Sequence, residues 1–339
     1  MQTRTRVVEG SEITFRNVEE AVEDEENDEA AIKFTVSPES WRFFAYLMFW
    51  LMSIIAITVS NLFVKPYLAK GPEDGSTCGP FKRNNPDFGV FPGEGFNFPD
   101  QTHLVEEFGY NNICSNWDYS PSREVIATFY PLFEYSLIVY LCLDYLATAI
   151  ANKRGEIKPW FYRLSQIIFP ICIFLCSQFR MIFIYLAYES LALHTAGFLG
   201  LQVALVLVAL HNAVFVWSCN IAYKQLGGPE NGLKHTRIGV IVYLICDIII
   251  SIFKICSNMY FIIHGGSAPF TLVQVGAVVS GQVIDWIWMI FNAIIPMFLS
   301  FFRSRNEAPL TFVISKKSIY ISVADDSDDS VNYTRIAEK

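Results

Sequence analysis

Apolar residues are gathered along this chain into six blocks, Trp41–Val64, Val125–Ala151, Phe161–Tyr188, Thr195–Tyr223, Ile238–Ile263 and Phe270–Phe302, with polar stretches between them. A helix needs about 20 apolar residues, at a rise of about 1.5 Å each, to cross the hydrocarbon of a bilayer. Each block is long enough. Backbone groups in lipid must be satisfied within the spanning segment, and a barrel would show shorter, alternating strands, so the blocks predict helices. The pattern therefore predicts an all-α, polytopic six-helix transmembrane bundle. Residues 1–40 precede the first span (41–64), 65–123 form a long loop, 124–303 hold the other five spans, and 304–339 form a second tail.

An even number of crossings returns both tails to one side. Lys153, Arg154, Lys158 and Arg163 mark the link between the second and third blocks; Lys224, Lys234 and Arg237 mark the next link on that side; Arg303, Arg305, Lys316 and Lys317 follow the last. The short links near Ser190 and over 265–269 hold no Lys or Arg. By the positive-inside rule both tails are expected in the cytoplasm, although Lys65 and Lys70 dissent. Trp41, Trp160, Tyr188 and Tyr223 suit the interfacial belt at the helix ends. Gly276 with Ser280, and Ala277 with Gly281, have the small-xxx-small spacing of a close helix contact.

Composition agrees with a lipid solvent: 53% of the residues are hydrophobic. The formal charge of −8 is concentrated in the tails, which are expected to be disordered; residues 1–40 hold the acidic tract Glu19, Glu20, Glu23, Asp24, Glu25, Glu26, Asp28 and Glu29. No basic stripe or binding motif points to nucleic acid. In the second tail, Ser327 and Ser330 lie beside aspartates, as an acid-directed kinase requires, and Tyr333-Thr-Arg-Ile336 and Tyr320-Ile-Ser-Val323 have the form of tyrosine-based sorting signals read by adaptors. These signals point to the plasma membrane or the endosomal system. Cys78 and Cys114 are the cysteines of the 65–123 loop and are expected to pair in an oxidising compartment. The other six cysteines lie within apolar blocks, as small apolar residues.

Ionisable residues inside the blocks carry the functional information. Glu134, Asp144, Arg180, His211, Asp247, Lys254 and Asp285 each lie at a depth where a charge costs roughly 2.5–3.5 kcal/mol, so each should face the interior and have a partner. Counting residues from the span ends puts Glu134 level with Arg180 near the loop side. Lys254 and Asp285 lie nearer the midplane, and Asp247, His211 and Asp144 lie toward the tails. Asp247 and Lys254 share a helix face at i, i+7 spacing. Such a ladder can relay protons or pass a small cation, with ion pairs as gates. Two other readings stand beside it. One is a receptor or organiser that binds partners through the 65–123 loop. The other is a haem held by histidines of facing helices, for which His194 and His264 match in depth while His211 and His235 do not. No HExxH, GxSxG or Cys-rich metal spacing points to an enzyme. No cofactor other than haem is suggested, and the oligomeric state is not encoded.

Overall fold

A computed structural model describes residues 32–67, 98, 102, 113–119, 121–185, 190–218, 232–264, 281–305, 309–314, 318–323 and 334–338. The chain divides into two compact units, Ser37–Glu307 and a second made of Met1–Val36 with Ala308–Lys339. The first is an all-α six-helix membrane bundle, so the protein is an integral, multi-pass membrane protein. Its spans are Pro38–Phe63, Ser122–Lys153, Pro159–Ile184, Ala192–Trp217, Arg237–Cys256 and Val283–Ser304.

The helices are α1 (Pro38–Tyr67), α2 (Ser115–Asp118), α3 (Ser122–Lys153), α4 (Pro159–Gln178), α5 (Met181–Ile184), α6 (Leu191–Ser218), α7 (Gly232–His264), α8 (Gly281–Met289) and α9 (Ile295–Ser304). A π-helical turn, Ile290–Ile294, joins α8 to α9. Each spanning helix packs on its neighbours in sequence: α1 on α3, α3 on α4, α4 on α6, α6 on α7 and α7 on α8, while α9 returns to α1. The six spans thus close a ring, as short antiparallel connections favour. The α3–α4 link shows how the chain reverses. Gly155 adopts a φ of 74° just past α3, a conformation that glycine takes without strain, and Pro159 opens α4 where its missing N–H costs nothing. Large apolar side chains such as Ile54, Leu62, Ile167, Phe174, Ile245 and Ile252 are exposed around the outside, where lipid is their solvent.

Aromatic rings fill the middle of the ring. Phe133 lies 5.4 Å from Phe49 and 6.1 Å from Phe179, centroid to centroid. The four-residue helix α2 from the end of the long loop is part of this core: Trp117 is fully buried and meets Phe49 and Phe179 edge-on at 6.3 and 5.9 Å. Ser122 Oγ, at 2.6 Å, and Ser60 Oγ, at 3.3 Å, donate to the Asn116 carbonyl and hold α2 against α3 and α1.

The expected Cys78–Cys114 disulfide is not seen. Cys114 is a free thiol packed in the aromatic core next to α2, where it acts as a small apolar group, and Cys78 lies outside the described residues. The acidic tract over 19–29 lies outside the described residues, while the described parts of the tails hold strands where the composition predicts disorder. Strands β1 (Ile32–Val36), β2 (Leu310–Ile314), β3 (Ser318–Val323) and β4 (Thr334–Glu338) form an antiparallel sheet in that order. Phe34 lies opposite Phe312 with the rings stacked at 5.0 Å. The sequences IKFTV, LTFVI and SIYISV are rich in β-branched and aromatic residues, a strand preference easily hidden by the charge around them. Because β1 precedes the first span and β2 follows the last, their pairing joins the two tails, as an even number of crossings allows. Tyr320 falls in β3 and Ile336 in β4, while Ser327, Ser330 and Tyr333 lie outside the described residues. So do residues 270–280, including Gly276, Ala277 and Ser280.

Candidate functional site

The ionisable side chains form four levels, from the end of the ring that bears α2 to the end that bears Pro38 and Ser304. At the first, Arg180 Nη2 donates to Glu134 Oε1 at 2.5 Å. Arg180 can reach it because α4 breaks at this point: the Phe179 N–H bonds back only to Cys176, and α5 starts afresh after Arg180. The pair is peripheral, with Glu134 5% and Arg180 52% exposed. Deeper in the same level, Asp118 of α2 lies 3.8 Å from His194 Nδ1, which donates to the Tyr185 carbonyl at 2.9 Å. Burial raises the Asp118 carboxyl to about 6, against the opposing pull of His194 and Arg123. Burial also pushes the Cys114 thiol up, with Asp118 adding to the effect.

At the second level Lys254 of α7 and Asp285 of α8 form a direct ion pair. The Lys254 ammonium stands over the Phe198 ring at 5.4 Å, and Phe198 packs on Trp288 at 4.8 Å. Gln202 Nε2 donates to the Ser251 carbonyl at 3.0 Å, which ties α6 to α7.

The third level is Asp247. It is 0% exposed, and neither carboxylate oxygen accepts a hydrogen bond or meets a cation among the described residues. The Asn292 amide lies beside it as the near side-chain donor, and Asn292 Nδ2 also donates to the Trp288 carbonyl at 3.3 Å. The surroundings are set by Pro296, which has no N–H to offer one turn back. The Ile295 N–H reaches past to the Ile290 carbonyl in the π turn, and the Phe291 carbonyl is taken up by the Tyr243 hydroxyl at 2.8 Å. Tyr243, Asp247, Ser251 and Lys254 recur at i, i+4 and i+3 steps and make one polar stripe on α7, buried at all but the half-buried Tyr243.

The fourth level lies at the Pro38 end of α1 and the Ser304 end of α9. Arg303 of α9 pairs with Glu39 of α1 at 2.9 Å, and Arg42, 3.8 Å from Glu39, lies over the Tyr46 and Tyr140 rings at 5.8 and 5.3 Å. Tyr140 donates to Asp144 Oδ2 at 3.5 Å, and His211 Nδ1 is 3.9 Å from the same oxygen. The other nitrogen, His211 Nε2, lies 2.9 Å from Ser165 Oγ, and the ring is held between Phe161 and Phe169 at 4.8 and 4.7 Å.

The ladder is therefore a set of pairs with one member left over. Glu134 meets Arg180, Lys254 meets Asp285 and His211 approaches Asp144, but Asp247 joins none of them. Both His211 nitrogens face protein groups, and the side chains of His235 and His264 lie outside the described residues. Among the described residues no three His, Cys, Asp or Glu side chains converge as metal ligands would. Glu39, Arg42, Arg303 and Asp118 escape a reading confined to apolar blocks because they sit at block ends or in the loop. Tyr243, Asn292 and Gln202 escape it because they are uncharged; Pro296 is the available signal for the first two. The chain matches no protein family, no curated protein and no solved structure.

Proposed function

We propose that the protein is a proton-coupled transporter in which Asp247 is the group that takes up and releases the proton. The observation that carries this reading is a fully buried carboxylate inside a closed helical ring, with a neutral amide beside it and no cation in contact among the described residues. A bare carboxylate in such a place costs several kcal/mol, and a native structure that keeps one has a use for the proton or cation that relieves it. A proton suits the site better than a metal ion, because the carboxylate stands alone and its near neighbours are a phenol and an amide. The levels on either side supply gates. Lys254–Asp285, Asp118–His194 and Glu134–Arg180 close the route toward α2; Glu39–Arg303 closes it toward the tails, with Asp144 and His211 as the relay there. On the positive-inside rule the tails are cytoplasmic, and the membrane is that of the cell surface or the endosomal system.

The test is proton flux in proteoliposomes loaded with a pH-sensitive dye, under an imposed pH gradient and with Na+ or K+ on either side. Wild-type protein moves protons, and Asp247→Asn abolishes the flux while eluting as a monodisperse species with an unchanged helical spectrum. Equal flux from Asp247→Asn overturns the reading. No flux from wild-type protein under any gradient would assign it to the receptor or organiser class acting through the 65–123 loop.

A further inference from the structure

The short helix α2 stands at one end of the ring, and it touches or faces all six spans. Its Asn116 carbonyl is held by Ser60 of α1 and Ser122 of α3, the first two spans. Trp117 packs edge-on against Phe179 at the end of α4, and Asp118 lies 3.8 Å from His194 of α6. Cys114, in the core just before α2, lies within the fields of Lys254 on α7 and Asp285 on α8. A segment in contact with so many walls closes that end of the ring.

The seat suits the shape of α2 better than its polar groups. Trp117 is 0%, Asp118 2% and His194 3% exposed, yet Trp117 Nε1, Asp118 Oδ1 and His194 Nε2 make no hydrogen bond among the described residues. The His194 ring is already committed, because its Nδ1 donates to the Tyr185 carbonyl at 2.9 Å. Burial of the Trp117 ring and the two serine hydroxyls hold α2 in place, and neither changes with pH. An ionised Asp118 opposes them, since a carboxylate without donors in a dry seat forfeits the hydrogen bonds that water would give it. From this arrangement we infer that α2 is a pH-operated stopper, seated in the ring while Asp118 is protonated and let go when Asp118 ionises. The titratable and charged groups facing Asp118 are His194 on α6, Arg123 on α3 and the Cys114 thiol, and Arg123 is itself 3.0 Å from Glu124; α1 brings Ser60 and Phe49, which carry no charge. In the seat, burial lifts the Asp118 carboxyl from 3.8 to about 6, so the seated state holds the proton more tightly than the released one. Rising pH therefore favours release, and the effect levels off above the raised value. The inference rests on the transport reading for what the stopper controls, while the movement of α2 is tested without any flux.

The experiment is hydrogen exchange read by mass spectrometry on the full-length protein in nanodiscs, from about pH 5 to about pH 8, with rates corrected for the intrinsic pH dependence of exchange. The Asn116 and Trp117 amides donate to the Ile113 and Cys114 carbonyls at 3.1 and 2.8 Å and report on α2 directly. Their protection is expected to fall roughly tenfold between about pH 5 and about pH 7 and then to level off, while peptides from α3 and α4 keep theirs. Asp118→Asn keeps the shape and cannot ionise, so it should hold α2 at the low-pH protection throughout. His194 stays in place in that variant, so a slope that survived there would belong to the histidine. Constant protection of α2 in wild-type protein, an unchanged slope in Asp118→Asn, or loss of protection from all helices together overturns the stopper. Proton flux with α2 protection independent of pH would leave the Asp247 reading standing and remove this one; pH-dependent release of α2 without proton flux would do the reverse.

Discussion

The residues that matter most here are those whose needs the surrounding protein leaves unmet. Asp118 shows how such a need can be measured. Its carboxyl is raised from 3.8 to about 6, chiefly because α2 buries it. Between those values the folded protein holds a proton that the unfolded chain gives up, so this residue stabilises the fold least at high pH, and stability falls as pH rises from about 4 to above 6. The difference corresponds to on the order of 3 kcal/mol. His194, Arg123 and Cys114 are the titratable or charged groups acting on it, and they stay in place in Asp118→Asn. Thermal unfolding in detergent should therefore show Asp118→Asn gaining on wild type as pH rises from 4 to 7, whereas a constant gap would mean the carboxyl is not held up by burial. None of this was legible from the residue itself, because Asp118 lies in a polar loop whose sequence gives no sign that the chain turns back into the core. Glu134, Arg180, Lys254 and Asp285 were legible, since charges within apolar blocks need partners and depth along a helix limits which partner is near.

Among the elements, α6 depends on one close approach. A Cβ on Gly197 would stand 2.8 Å from the Gln178 carbonyl oxygen and 3.0 Å from Met181 Cβ, at the junction where α4 gives way to α5. Gly239 in α7 has no atom within 4 Å of the same position. Gly197→Ala is expected to destabilise the protein by roughly 1–3 kcal/mol through displacement of that junction, while Gly239→Ala gains up to about 1 kcal/mol from helix propensity. Equal effects in a chemical unfolding series would show that the α4–α6 contact is not tight. Six helices could be read directly from six apolar blocks, and the π turn could have been suspected from Pro296. The strands could not be placed from local pattern alone: IKFTV and LTFVI lie at opposite ends of the chain, and each becomes a strand by pairing with the other.

For the whole molecule, closure of the ring is what gives the polar residues their meaning. Because α9 returns to α1, the stripe on α7 faces other helices rather than lipid, and Asp247 is fully buried among them. The number of crossings was evident in the sequence; the circular order was not, since every block is apolar enough to sit anywhere in a bundle. The most direct measurement is the infrared carboxyl stretch of Asp247 in membranes, assigned by its loss in Asp247→Asn and followed while external pH is stepped under conditions of flux. A proton carrier predicts that the band gains and loses intensity with each pH step. A band that stays constant throughout, or no difference between the two proteins at any pH, would contradict the assignment of Asp247 as the proton carrier.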